Sequence, residues 1–241
     1  MKQRRRSPFE ILVRLIVLLL GLFILAQGIS FTVLANLGTD AITSPALVAH
    51  LVLGDTEAGA GFAFCTLGRM LICVHVLLVL MQILVLRRKY RPIQLLQVVM
   101  GVLLGLLLDV CLNYTSLLPL PNYGASIAYT LLGCTICAFG IFTYVKADMV
   151  PLSAEGLCLA LSSVYQWRFS RVKVAVDCSL LFIAVVASLI LQGEIAGVRE
   201  GSIICAVCTG YIIGWFFKVC PIWDRLFAAV GGCSDSASNL A

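Results

Sequence analysis

The chain has 241 residues, of which 61% are hydrophobic and 12% charged, about half the charged fraction of an ordinary soluble domain. Mean hydropathy is +1.04, and 17 basic and 12 acidic residues are too few to cover a water-soluble surface of this size. These values exclude a soluble globular domain, a disordered chain and a coiled coil, and leave an all-α polytopic helical membrane protein.

Long apolar runs follow in chain order at 9–35, 66–86, 92–112, 124–146, 172–192 and 200–219. Each has about 20 residues or more, enough to cross roughly 30 Å of hydrocarbon at about 1.5 Å per residue. Two shorter runs, 40–53 and 152–166, are interrupted by polar residues and are read as short broken or re-entrant helices. The first run follows Lys2, Arg4, Arg5 and Arg6, but it is too long for a signal-peptide core and no cleavage site closes it. The expectation is one transmembrane domain over 1–241, with halves at about 9–112 and 124–219 and a cytoplasmic tail over 220–241.

Basic residues orient membrane helices because Lys and Arg are retained on the cytoplasmic side. If all eight runs crossed, the stretch Arg87-Arg88-Lys89-Tyr90-Arg91 would face outward. With six spans, and both short runs entering and leaving on one side, 15 of the 17 basic residues become cytoplasmic, all but Arg69 and Arg199. Both termini then lie inside.

An internal repeat agrees. Shifting residues 19–35 by 112 positions places Leu19, Leu20, Gly21, Ile24, Ala26, Gly28, Ile29, Val33 and Ala35 on identical residues. Each half holds three spans, an odd number, so the second half is inverted relative to the first. Gly101/Gly105 and Gly210/Gly214 recur late in each half with GxxxG spacing, which lets helices approach closely. These glycines are the expected packing faces, including those of a homodimer.

Inverted repeats with interrupted short segments point to a secondary transporter and to its binding site. The first such segment runs from Asn36 through Gly38, Thr39, Asp40, Thr43 and Ser44 to Pro45, with Gly38 and Pro45 as helix breakers. The matching stretch carries Pro151, Ser153 and Glu155. Asn36, Asp40, Thr43, Ser44, Ser153 and Glu155 are therefore the candidate substrate-binding residues. Helix N-termini favour an anion, whereas the two carboxylates favour a cation or a proton, and the sequence leaves both open. Asp40, Glu155 and Asp177 are the candidates for proton or ion coupling, since ionisable groups in a span are costly unless used or paired. Asp177 has Lys173 one turn away.

Asp109 and Arg69 lie near the outer ends of their spans, and Gln27, Gln82 and Gln97 read as interhelical hydrogen-bonding amides. His75 stands alone on an apolar helix. The CxxC pairs Cys134/Cys137 and Cys205/Cys208 sit among apolar residues without a neighbouring His or carboxylate, so they read as packing residues. No metal or cofactor is expected. The sequence holds no hydrolase elbow, HExxH, P-loop or dinucleotide fingerprint, so an enzyme is not expected. No basic stretch is interleaved with aromatics on a soluble domain, so neither is a nucleic-acid partner.

Four stretches carry a resemblance. They are Leu37-Gly38 to Pro45; Gln94 and Gln97 to Gly105 and Asp109; Val150 to Gly156; and Val172, Lys173 and Asp177 followed by Val198-Arg199-Glu200-Gly201-Ser202. Together they resemble the YczE/YyaS/YitT-type family of bacterial integral membrane proteins over nearly the whole chain. Ser202 stands where that pattern expects Thr, which keeps the hydroxyl. The resemblance implies a bacterial cytoplasmic-membrane protein and supplies no catalytic residue. The expected function is a small secondary transporter for an unknown small molecule, embedded in membrane lipid. The alternative is an accessory or scaffolding protein that regulates a partner.

Overall fold

The computed structural model describes residues 8–54, 65–87, 92–119, 122–193, 197–220, 222–223 and 226–227. Eight helices follow in order: α1 (Pro8–Ala35), α2 (Thr43–Gly54), α3 (Leu67–Leu86), α4 (Leu96–Thr115), α5 (Tyr123–Lys146), α6 (Ser153–Tyr165), α7 (Phe169–Gln192) and α8 (Glu200–Val219). Six are long, and the two short ones, α2 and α6, fall where the polar interruptions predicted them. Among the described residues five helices, α1, α3, α4, α5 and α7, are long and apolar enough to cross a membrane. Their outward faces agree: Phe182 and Ile190 on α7 are 69% and 76% exposed, which suits lipid as the surrounding solvent.

Several expected boundaries shift for physical reasons. Pro45 does not break α2 but sits in its first turn, where a backbone N–H would have no intrahelical acceptor to lose. Pro151 lies two residues before α6 rather than within it. The run expected at 92–112 is a 3₁₀ turn over Pro92–Leu95 followed by α4. That helix continues to Thr115, whose hydroxyl donates to Cys111 O at 2.7 Å and lies 2.8 Å from Ser30 Oγ on α1. The stretch beyond α8 is not wholly a free tail, since Trp223 and Phe227 pack against the core. Residues 228–241, and Arg88, Lys89 and Arg91, lie outside the described residues.

Helices α1 and α5 form the central contact and run antiparallel, because approaching residues have nearly constant number sums. Gly28 meets Gly133, and Gly140 meets Gly21. A Cβ on Gly28 would stand 2.5 Å from the Cys137 backbone nitrogen, and one on Gly140 2.6 Å from that of Leu25. In lipid no hydrophobic force separates helix from solvent, so such close backbone approach supplies the packing energy. Residues 112 apart exchange places across this contact: Gly21 for Gly133, and Gly28 for Gly140. The two helices also end alike, with Asn36 at φ 52° and Asp148 at φ 49°. Asn and Asp enter this left-handed region more readily than other side chains.

Around this pair, α4 packs on α1 and α8 on α5, while α2 and α6 each lie against both α3 and α7. Helices α3 and α4 are tightly joined: Gly105 abuts Gly68, and Gly101 abuts His75. Gly101 and Gly105 therefore pack inside the chain rather than on a free face. Gly210 and Gly214, expected to pack likewise, meet nothing within 4 Å among the described residues. No comparable packing joins α7 to α8 there. Arg14 donates to Ala147 O at 2.9 Å, and its guanidinium lies 4.3 Å from the centre of the Phe227 ring. The start of α1, the end of α5 and the stretch after α8 thus gather at one end of the bundle.

Candidate functional site

A cavity of about 850 Å³ occupies the space between α7 and α8, within the range that accommodates small organic ligands. The first half contributes Leu25 and Thr32 from α1 and Asp40, Ala41 and Ile42 from the segment leading into α2. The second half contributes residues of α5, α6, α7 and α8. The walls are mainly apolar, with polar insertions that include Asp40, Tyr144, Glu155, Lys173, Asp177 and Thr209.

Local structure explains how Asp40 reaches this place. Gly38 adopts φ 101° and turns the chain after α1, and a Cβ there would collide with Arg199 and Ser202. The turned segment then caps α2. Ser44 N donates to Asp40 O at 2.9 Å, and Ile42 N reaches Asp40 Oδ2 at 3.3 Å. Asp40 Oδ1 remains buried without a hydrogen bond. Glu155 occupies the first turn of α6, where a negative charge offsets the partial positive charge of a helix N-terminus. The Tyr144 hydroxyl lies beside that carboxylate, yet neither Tyr144 Oη nor Glu155 Oε2 completes a well-formed hydrogen bond. On α7, Lys173 Nζ donates to Asp177 Oδ1 at 2.9 Å, and the Glu155 charge acts on Lys173 as well.

The N-terminal ends of the two short helices border one small space. It measures about 40 Å³ and is lined by Asp40, Ile42 and Thr43 from one side and by Leu152 and Glu155 from the other, with His75 beside them. Of the residues expected to bind substrate, Asp40 and Glu155 line both spaces and Thr43 the smaller one. Ser44 and Ser153 face elsewhere. The Ser44 hydroxyl donates to Asp40 O at 2.9 Å, and Ser153 Oγ is joined to His75 Nδ1, which ties α6 to α3. Asn36 is exposed and serves as the left-handed end of α1. Farther along α2, His50 Nδ1 bonds Cys65 O at 2.7 Å.

Other polar residues of the spans have structural roles. Asp109 accepts Gly68 N at 2.8 Å and the Thr66 hydroxyl at 2.6 Å, capping α3. Gln27 bridges α1 to α4 through Thr115 at 3.3 Å, as an interhelical amide should. Gln97 lies against Gly156, where any side chain would displace it.

Sequence reading missed Tyr144 and Thr209, and it took Lys173 only as the partner of Asp177. A signal existed for Tyr144: its position 112 residues earlier is Thr32, and both line the cavity. The cysteines also arrange themselves unexpectedly. Cys134 and Cys205, the first members of the two CxxC pairs, bring their sulfurs to 2.9 Å across α5 and α8, so the within-helix spacing is not what pairs them. Among the described residues no three His, Cys, Asp or Glu side chains converge as a metal ion would require.

A family model described as a family of unknown function, DUF6198, matches residues 12–218. No curated protein and no solved structure matches. With a match spanning most of its length, the chain belongs to DUF6198.

Proposed function

We propose that the protein is a small secondary transporter that carries a small molecule across a bacterial cytoplasmic membrane through the cavity that both of its halves line. The observation that carries this reading is an asymmetry. Helices α3 and α4 close on each other through Gly68, Gly101 and Gly105, whereas among the described residues α7 and α8, their counterparts in the second half, share no such packing and both line a polar-studded cavity. In an inverted repeat the two halves exchange conformations as access switches from one side to the other. One closed pair and one open pair are what a single state of that cycle looks like. The exchange of Gly21 with Gly133 and of Gly28 with Gly140 supports the inverted repeat.

In this reading α8, 20 residues long, is the sixth span, α2 and α6 are re-entrant, and both termini are cytoplasmic. The gathering of the α1 start with Phe227 and the distribution of basic residues support that orientation, and the resemblance to the YczE/YyaS/YitT-type proteins supports the compartment. The cavity's lining reaches Asp148, Met149 and Phe217 at the ends of α5 and α8 that this orientation makes cytoplasmic, which supports an opening on that side.

Two pairs of spin labels test the cycle in the full chain reconstituted in lipid, one across α3 and α4 and one across α7 and α8. Alternating access predicts a second population in which the first distance lengthens while the second shortens. A single fixed distance for both pairs, with and without solutes in the cavity, would contradict it.

A further inference from the structure

We infer that the cavity binds an organic cation with an apolar body and N–H donors, such as an alkylguanidinium or ammonium ion. The inference deepens the transport reading and rests on it for the cavity's role, but its argument is charge and unmet hydrogen bonding.

Asp40, Glu155 and Asp177 face a single ammonium, Lys173, among the described lining residues, which leaves two negative charges (3 − 1). Asp148 is exposed at the rim and already engaged, so it stands outside this balance. The α2 and α6 N-termini each contribute roughly half a positive unit. About one negative charge remains, a deficit that one monovalent cation fills.

The unmet acceptors specify the cation further. Asp40 Oδ1 is buried without a hydrogen bond, and the buried Glu155 Oε2 and the Tyr144 hydroxyl, on a side chain only 3% exposed, lie near each other without completing one. Leaving such acceptors unpaired away from water is costly. A group that carries several N–H donors satisfies them together, and a guanidinium does so in a fixed planar fork. A metal ion fits poorly, since no triad of ligands converges among the described residues. An anion would meet the carboxylates. The rest of the wall, including Leu25, Ile141, Val174 and Ile213, suits an apolar body.

The test is titration calorimetry on the purified full chain in lipid nanodiscs, with four probes that share a phenylbutyl body. Phenylbutylguanidinium should bind at least tenfold more tightly than phenylbutanol, phenylbutyrate or phenylbutyltrimethylammonium. Asp40→Asn and Glu155→Gln should each weaken it tenfold or more. Tyr144→Phe, which removes one hydroxyl and leaves the packing, should weaken it several-fold at unchanged unfolding temperature. Equal or tighter binding of phenylbutyrate would overturn the inference. So would guanidinium binding that all three variants leave unchanged, and equal binding of the trimethylammonium probe would overturn its N–H component. Failure here is separable from failure of the transport reading: cation binding with fixed helix distances retires transport alone, and switching distances without cation binding retire the ligand class alone.

Discussion

Asp109 accepts the backbone amide of Gly68 at 2.8 Å, one helix capping the start of another. A carboxylate within a span is expensive unless something holds it, and here Gly68 and Thr66 do. Asp40 takes only Ile42 N, at 3.3 Å on Oδ2, while Asp40 Oδ1 and Glu155 Oε2 lack a well-formed hydrogen bond, and that contrast separates the structural carboxylate from those at the cavity. Asp109→Asn should cost about 1–2 kcal/mol through loss of the charged cap, roughly 2–8 °C in unfolding temperature for a chain of this length. Guanidinium binding should be unaffected. Thermal unfolding of the nanodisc-embedded variant, with calorimetry beside it, checks both parts.

The antiparallel α1–α5 contact has no room for a side chain at its glycines. Gly28→Ala forces a methyl against the Cys137 backbone, and Gly133→Ala forces one against Thr32 and the Gly28 carbonyl. Backbone cannot swing aside as a side-chain tip can, so both variants should lose most of their folded yield on size-exclusion chromatography. Gly124→Ala and Gly214→Ala, whose added methyl meets nothing within 4 Å among the described residues, should keep theirs. Selective loss with Gly214→Ala would point instead to a contact between copies of the chain.

Lys173 and Asp177 are each partly buried beside the cavity and joined at 2.9 Å. Removing one partner leaves an uncompensated charge, whereas removing both restores neutrality. Lys173→Met should therefore lower folded yield severalfold, and Lys173→Met combined with Asp177→Asn should recover most of it. A double variant no better than the single would show that the pair contributes little.

Cys134 and Cys205 hold their sulfurs 2.9 Å apart, and Cys137 is directed towards Leu25 O at 3.8 Å. Mild oxidation of the folded protein should join Cys134 to Cys205 and tether α5 to α8. Mass spectrometry of the digested protein checks this: Cys134→Ser should abolish the linked peptide and Cys137→Ser should not. A dominant Cys134–Cys137 product would mean that α5 and α8 do not meet as described.

Much of the fold is legible in the sequence because hydrocarbon thickness imposes helix length. Six long runs and two interrupted ones lie within a few residues of the observed helices. The glycines at 21, 28, 133 and 140 are legible as a repeat, though not as the contact itself, because spacing does not name the partner helix. The GxxxG pairs divide for the same reason: Gly101 and Gly105 close α4 on α3 as packing glycines, while Gly210 and Gly214 meet nothing within 4 Å among the described residues. At the site, Asp40 and Glu155 are legible because carboxylates are costly in a bilayer. Ser153 and Asn36 are not, because a hydroxyl beside a histidine and a left-handed helix end look like site residues in one dimension. The cavity itself depends on how far α7 stands from α8, which no local pattern encodes.

The most direct test of the central claim is uptake of phenylbutylguanidinium, a cation that keeps its charge and so crosses bare lipid slowly, into liposomes that contain the purified protein. Under an imposed ion gradient or a membrane potential, the account predicts accumulation at least tenfold above protein-free liposomes and its loss with Glu155→Gln. Uptake equal to that of protein-free liposomes, with the protein folded and the guanidinium bound in nanodiscs, would contradict it.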